Sequence, residues 1–512
     1  MKKIIYLIIA GLSFGTIQSQ EVRDAVRYAQ DNINGTARYK AMSGAFGALG
    51  GDLSSLNVNP AGSSVFSNNQ MTLTFSNLTT NNASEYFGTK HNEKLSDFNL
   101  NQAGAVFVFR NGDQKSKWTK FAIGINYENT NNFNNTIGAY GTNPTNSVGD
   151  YFLSYANANP IKQQAGIPLG VILDNSYSKL NYADQQAYLG YWGFLINPNN
   201  DVDSNTIYNS NVPAGGKYYQ ENTITSTGYN GKLAFNASAD YNDKIHFGLN
   251  LNSHFTDFRQ KTLFYEDNKN ANSNTIDLVN TSFENEIYTY GSGFSFQLGT
   301  IIKATKEFRI GLAYESSTWY QLNDELRQKL TSGIYDYRNN ASPSFENKTP
   351  DSNKFVVYDT YKLKTPSKIT GSLAYIFGKK GLISFDYSRK DYSKTEYSII
   401  RDTRDTNINT EIGQTLKASS EFRVGGEYKI QALSLRAGYR FEESPYKDNT
   451  TIGDLTGYSA GIGYNFGSTK LDISYANAQR TTQQGFFSQG FTDGAKNNTK
   501  TDTVSLTLLF EL

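Results

Sequence analysis

The 512-residue chain has no cysteine. That absence removes disulfide scaffolds, thiolate metal sites and thiol catalysis in one step. Histidine is nearly missing too, with only His91, His246 and His254 in the chain. His246 and His254 share one face of an alternating stretch but lie about 27 Å apart at roughly 3.4 Å per residue, too far to hold one metal. His91, in a loop, is the one outer candidate for haem ligation. No apolar run reaches the roughly 20 residues that a spanning helix needs, and the mean hydropathy is −0.55. Charge of one sign is lacking as well: 48 Lys+Arg stand against 47 Asp+Glu, so no nucleic-acid partner is expected. There is no P-loop, dinucleotide fingerprint, H-E-x-x-H or spaced Ser-His-Asp set. Neither an enzyme nor a cofactor or metal site is expected.

What the chain has in quantity is Tyr 36, Phe 32 and Gly 44. Its first stretch, MKKIIYLIIAGLSFGTIQSQ, joins two lysines to a short apolar core and small residues near Ser19. This reads as a secretory signal peptide over residues 1–19. Beyond it, apolar and polar residues alternate with period 2 along nearly the whole sequence. In GYSAGIGYNF, Tyr458, Ala460, Ile462, Tyr464 and Phe466 oppose Ser459, Gly461, Gly463 and Asn465. In the last stretch, TDTVSLTLLFEL, Val504, Leu506, Leu508, Phe510 and Leu512 oppose Ser505, Thr507 and Glu511.

About fourteen strands are predicted, near 69–78, 100–109, 119–129, 228–241, 244–266, 285–303, 306–317, 366–377, 380–394, 417–429, 432–442, 456–467, 469–479 and 501–512. Their connections alternate between short turns and long Asn-, Thr-, Ser- and Asp-rich loops, near 79–99, 130–227, 267–284, 318–365, 395–416, 443–455 and 480–500. Outer-membrane barrels show this asymmetry, with short periplasmic turns and long outer loops. A sheet in lipid must also close on itself, since an open edge leaves N–H and C=O groups unpaired in hydrocarbon. The fold class expected is therefore all-β, a closed antiparallel transmembrane β-barrel over residues 68–512. Its last strand should zip onto the first near Gln70–Asn77. Tyr or Phe at so many strand ends fits the aromatic girdles of a lipid interface better than a sandwich or propeller, which turn their apolar faces inward.

Charges on the wall strands should face the lumen, because Arg or Lys facing mid-bilayer lipid costs about 2–4 kcal/mol. Among them, Arg436 and Arg440 lie about 13 Å apart along one strand at roughly 3.4 Å per residue. Either could hold a ligand carboxylate through a bidentate contact, or could belong to a salt-bridge lattice with Glu427 or Asp386. The outer segment 146–196 breaks the strand pattern. Ala183, Ala187, Tyr191 and Leu195 recur at helical spacing, and Leu169, Ile172 and Leu173 follow Pro168. With Trp192, these side chains offer a landing site for a greasy ligand, or the core of a cap that packs on itself.

Residues 20–67 are small-residue-rich, too polar and too broken by glycine to span lipid. Gly44, Gly47, Gly50 and Gly51 permit tight turns, and the segment reads as a plug. The run AMSGAFGALGGDLSSLNVNPAG, ending in Asn59-Pro60-Ala61, resembles the N-terminal hatch of the FadL/OmpP1/TodX family, outer-membrane transporters of long-chain fatty acids and aromatic hydrocarbons. TPSKITGSLAYIFGKKGLISFDYSRKDYS and GYSAGIGYNFGSTKLDISYA are similar to later strands of that family. The resemblance implies a monomer whose bore is blocked by a hatch containing Gly50, Gly51, Asn59, Pro60 and Ala61. It implies membrane lipid and a hydrophobic small molecule as partners. The ligand would be caught in an outer groove, and would leave after the hatch shifts or through a lateral gap where a strand kinks inward. In the third strand only Gly124 suggests a weak point. The same barrel type also serves as a cargo carrier in a protein-secretion system, so the fold leaves that alternative function open.

Overall fold

The computed structural model describes residues 22–113, 115–158, 165–270, 276–337, 344–399 and 405–512. The expected signal peptide, residues 1–19, lies outside the described residues. One antiparallel sheet runs around the molecule and closes. Its passes are β1 Gln70–Tyr86, β2 Thr89–Arg110, β3 Trp118–Asn132 resuming as Asn135–Asn143, β4 Tyr218–Tyr241 and β5 Ile245–Asn268. They continue as β6 Ile276–Lys303, β7 Phe308–Glu315 resuming as Trp319–Asp336, β8 Lys368–Ile376 preceded by Tyr361–Lys364, and β9 Gly381–Asp391. The circuit is completed by β10 Ala418–Ile430, β11 Leu433–Glu442, β12 Ile452–Asn465, β13 Thr469–Gln483 and β14 Lys496–Glu511.

Closure is direct. β14 pairs with β1 from Gln70↔Glu511 to Glu85↔Lys496, and with β13 on its other side. Alternation then assigns the faces. Thr503, Ser505 and Thr507 are buried inside, whereas Val504, Leu506 and Phe510 are exposed outside. The same holds around the circuit, where Phe121, Ile123, Phe235, Leu249, Leu373 and Ile473 belong to an exposed apolar band. Such a band is lipid-facing wall in a transmembrane barrel.

The predicted strands fall in place, but most are longer at the outer end than the alternation indicated. The stretch 79–99, expected as a long loop, continues β1 and β2 up to a turn at Phe87–Gly88. Much of 267–284 belongs to β5 and β6, and 318–365 contains the upper leg of β7. The physical reason is solvent. Above the lipid both faces of a strand meet water or a polar lumen, so the apolar alternation disappears while backbone pairing continues. Among the described residues within 130–227, strands bracket three short α-helices, α3 Val148–Ala156, α4 Leu169–Asp174 and α5 Tyr182–Trp192.

A charge on the outer face tests the orientation. Leu506, 39% exposed and flanked by Phe75 and Ile473, should as Leu506→Arg lose about 2–4 kcal/mol of folding stability in bilayers. Urea unfolding followed by heat-modifiable gel migration reads the loss. Unchanged stability would contradict the lipid-facing assignment.

Candidate functional site: an occluded lumen with a lateral window

The chain ahead of β1 folds as two short helices, α1 Val22–Ala29 and α2 Ala37–Ala41, and two 3-10 turns, Leu53–Asn57 and Pro60–Val65. The starts of α2 and of both 3-10 turns are fixed locally by side-chain caps. Thr36 accepts from Tyr39 N, Asp52 from Ser54 N and Asn59 from Ala61 N, as short polar side chains do at helix starts. Asp52 also accepts from Thr36 Oγ1 at 2.7 Å, which ties the second half of the segment to the first. At Gly50, with φ +63°, a Cβ would meet Gly62 Cα at 2.8 Å, and Gly51 also has positive φ, +67°. Only glycine fits this double turn without strain.

This segment is bonded to inward groups on many sides of the wall, which places it across the bore. Ala37 N donates to Thr507 on β14 at 2.7 Å, and Phe46 N and Gly47 N donate to Asp386 on β9 at 3.0 Å. Asn59 Nδ2 donates to Thr300 O on β6 at 2.9 Å. Asn236 on β4 donates to Pro60 O at 2.9 Å, and Asn250 on β5 to Leu56 O at 2.8 Å. The approach is backbone-close where the wall carries glycine. A Cβ at Gly248 would lie 2.2 Å from Ala61 N, one at Gly299 2.0 Å from Asn59 Oδ1, and one at Gly311 2.2 Å from Gly47 O. The Asn59-Pro60-Ala61 turn therefore sits on bare wall backbone.

Arg436 and Arg440 point inward and are taken up by carboxylates. Arg436 pairs with Glu427 at 2.7 Å and with Asp472, and Glu427 also pairs with Arg38 of the inner segment at 2.9 Å. Arg440 pairs with Glu442 at 2.7 Å and Glu421 at 3.1 Å. Arg436 thus stands in the expected lattice with Glu427, whereas Arg440 pairs with Glu421 and Glu442, carboxylates that the sequence reading did not name. Asp386 instead receives backbone N–H groups of the inner segment. In the outer cap, Leu169 and Ile172 are buried in a core with Tyr151, Phe152, Phe283 and Leu330. Leu173 and Trp192 stay 42% and 44% exposed.

The bore is occluded, but on one side the backbone ladder of the wall is interrupted. β2 and β3 pair only from Arg110↔Lys120 to Gln102↔Glu128. Above that, β2 goes on beside β1, while β3 breaks at Phe133–Asn134 and its upper leg bends inward. There the carbonyls of Thr136 and Gly138 accept from Asn82 and Ser84, inward side chains of β1. The break has a local cause. Asn132 Oδ1 accepts from Asn134 N at 2.8 Å, and Asn134 Oδ1 accepts from Gly228 N at 3.1 Å, side-chain bonds that replace strand pairing. Gly124, the residue singled out from the sequence, is regularly paired on both sides. Across the resulting window, Asn132 Nδ2 reaches Asp97 at 2.6 Å.

Behind the window lies a chamber of about 370 Å³ between the inner segment and β1, β12, β13 and β14. Its lining is mostly Asn, Ser and Thr, together with Lys40, Arg440 and Arg480. Lys40 is 2% exposed, and its burial brings the ammonium pKa down to about 7. Gln30 Nε2, Lys40 Nζ, Asn99 Oδ1 and Asn129 Oδ1 have no hydrogen-bond partner among the described residues. Each such buried group costs about 1–3 kcal/mol unless water or a ligand meets it. Sequence reasoning missed this chamber. Its one signal was the asparagine density of Glu128–Asn135, ENTNNFNN.

A closed barrel with an apolar outer band and a bore filled by its own N-terminal segment is an outer-membrane β-barrel of the occluded type. Residues 16–508 match the family described as outer membrane protein transport protein (OMPP1/FadL/TodX), and the chain belongs to that family. Two solved structures show the same fold at low identity. A Pseudomonas aeruginosa FadL homologue is 13% identical, with TM-score 0.50, 94% of this chain and 99% of that one covered. The P. putida toluene transporter TodX is 12% identical, with TM-score 0.50 and the same coverage. A comparison with curated protein sequences found no match.

Glu427 ties wall to inner segment, so Glu427→Ala leaves Arg38 without its carboxylate. Removing one partner of a buried pair costs about 3–5 kcal/mol. The variant should show lower urea resistance and a higher conductance in planar bilayers than the parent. An unaltered conductance with unaltered stability would mean the pair does not hold the segment.

Proposed function

We propose that the protein carries hydrophobic small molecules across the outer membrane by a sideways route. The window carries this reading. The segment crossing the bore blocks a straight aqueous path, and the wall opens just above the level of Tyr127, beside exposed Phe98 and Leu100. A greasy solute there would step from lumen to lipid without crossing water, and its transfer is favoured by about 25 cal/mol per Å² of apolar surface removed from water.

In this reading the exposed Leu173 and Trp192 of the cap make first contact with the solute, and the inner segment acts as the hatch that shifts to let it pass. Residues 1–19 direct export, and the barrel works as a monomer. Family membership and the barrel shared with a toluene transporter support hydrophobic cargo. Both long-chain fatty acids and aromatic hydrocarbons belong to the class proposed.

The absence of cysteine makes a clean test possible. Asp97→Cys with Asn132→Cys, joined by a short bis-thiol reagent, ties β2 to β3 across the window. Proteoliposomes should take up dodecanoate and toluene before crosslinking, and at least tenfold more slowly afterwards, with recovery on reduction. Uptake that is absent throughout, or indifferent to the crosslink, would overturn the lateral route.

A further inference from the structure

Passage of hydrocarbon makes no use of the chamber's polar lining. Outside its two arginines, some of whose guanidinium nitrogens also lack hydrogen bonds, the lining's unmatched atoms are two donors, Gln30 Nε2 and Lys40 Nζ, and two acceptors, Asn99 Oδ1 and Asn129 Oδ1. All four residues line this one space. The cations at its far end are already neutralised, Arg440 by Glu421 and Glu442, and Arg480 by Glu442 at 3.2 Å. Lys40 differs, having no carboxylate at ion-pair distance among the described residues. A hydrocarbon in the chamber would leave both donors and both acceptors bare. A group with an anionic oxygen and hydroxyl donors would match them.

Position narrows the class further. The chamber reaches the window through Asn99, Asn101, Asn129, Asn131 and Asn132. On its outer side stand Phe98 and Leu100 of β2, with Tyr127 of β3 stacked on Phe255 at 6.1 Å. Aromatic side chains in such a ring mark the lipid interface. Polar lining inside and lipid outside are thus joined by one opening. At about 30 Å³ per water the chamber holds on the order of a dozen waters, enough for a small head group and too little for an acyl chain besides.

We infer that this chamber binds the head group of an anionic, hydroxyl-bearing amphiphile, whose acyl chain lies out through the window among the lipids. The head's anionic oxygens face Lys40 and the Gln30 amide, and its hydroxyls donate to Asn99 and Asn129. The inference rests on the window being a true lateral opening, and adds to it a ligand class that pure hydrocarbons do not meet.

Native mass spectrometry of the detergent-purified full chain tests it with three probes. These are lysophosphatidylglycerol, lysophosphatidylcholine of the same chain, and chain-free glycerol 1-phosphate. Lysophosphatidylglycerol should be retained at least tenfold better than lysophosphatidylcholine. That preference should vanish in Lys40→Met, return in Lys40→Arg and fall severalfold in Asn129→Ala, with heat-modifiable migration confirming that each variant folds. Glycerol 1-phosphate should bind at least tenfold more weakly than the lysolipid. Equal retention of the two lysolipids, or a preference surviving Lys40→Met, overturns the inference. So does glycerol 1-phosphate bound as well as the lysolipid, which would make this a site for soluble anions. Toluene uptake by the unaltered protein, read in parallel, separates the two proposals: normal uptake without head-group preference sinks this one alone.

Discussion

Every peptide group of a chain in hydrocarbon must find a backbone partner, and the architecture follows from that demand. It is why β14 returns to β1 over its whole length. It also decides where the wall can open. β2 and β3 stay paired from Arg110↔Lys120 to Gln102↔Glu128, the stretch whose outer residues are Phe107, Phe109, Phe121, Ile123 and Ile125. Pairing is given up only above it, where water, asparagine side chains and the inner segment can satisfy a loose edge. Asn32 N, for instance, donates to Thr130 O at 3.2 Å. The window sits at the outer interface because lower down its edges would be too costly.

The same demand shapes the interior. A segment of nearly fifty residues inside a barrel brings its own polar backbone, which the lumen face must match. Bare backbone at Gly248, Gly299 and Gly311 lets the Asn59-Pro60-Ala61 turn come close, and amides at Asn236 and Asn250 receive its carbonyls. Charges take a second role. Glu427 is shared by Arg436 of the wall and Arg38 of the segment, so the lattice that stiffens the wall is also what anchors the filling.

Legibility in the sequence tracked solvent contrast. Where lipid lies on one side and a polar lumen on the other, alternation located every pass, and it paired the end of the chain with Gln70–Asn77. Above the lipid that contrast is lost, and 79–99 read as a loop although β1 and β2 continue through it. The break in β3 was illegible for another reason. Within β3 neither glycine nor proline makes it; Asn132 bonds Asn134 N nearby and Asn134 bonds Gly228 N of the neighbouring β4, contacts that an Asn-rich chain suggests at many places. In the cap, spacing found the helices but could not sort their faces, since part of the core holding Leu169 and Ile172 comes from β6 and β7, more than a hundred residues away.

The barrel wall is far taller than the membrane is thick. β6 is 28 residues long, about 90 Å along its path at roughly 3.3 Å per residue, whereas the apolar belt of such barrels is about 25 Å high. Even tilted by about 40°, the sheet carries its mouth tens of ångströms beyond the headgroups. The mouth therefore stands in bulk water, while the break between β2 and β3 sits at the outer lipid interface. One polypeptide thus reaches two solvents at two heights.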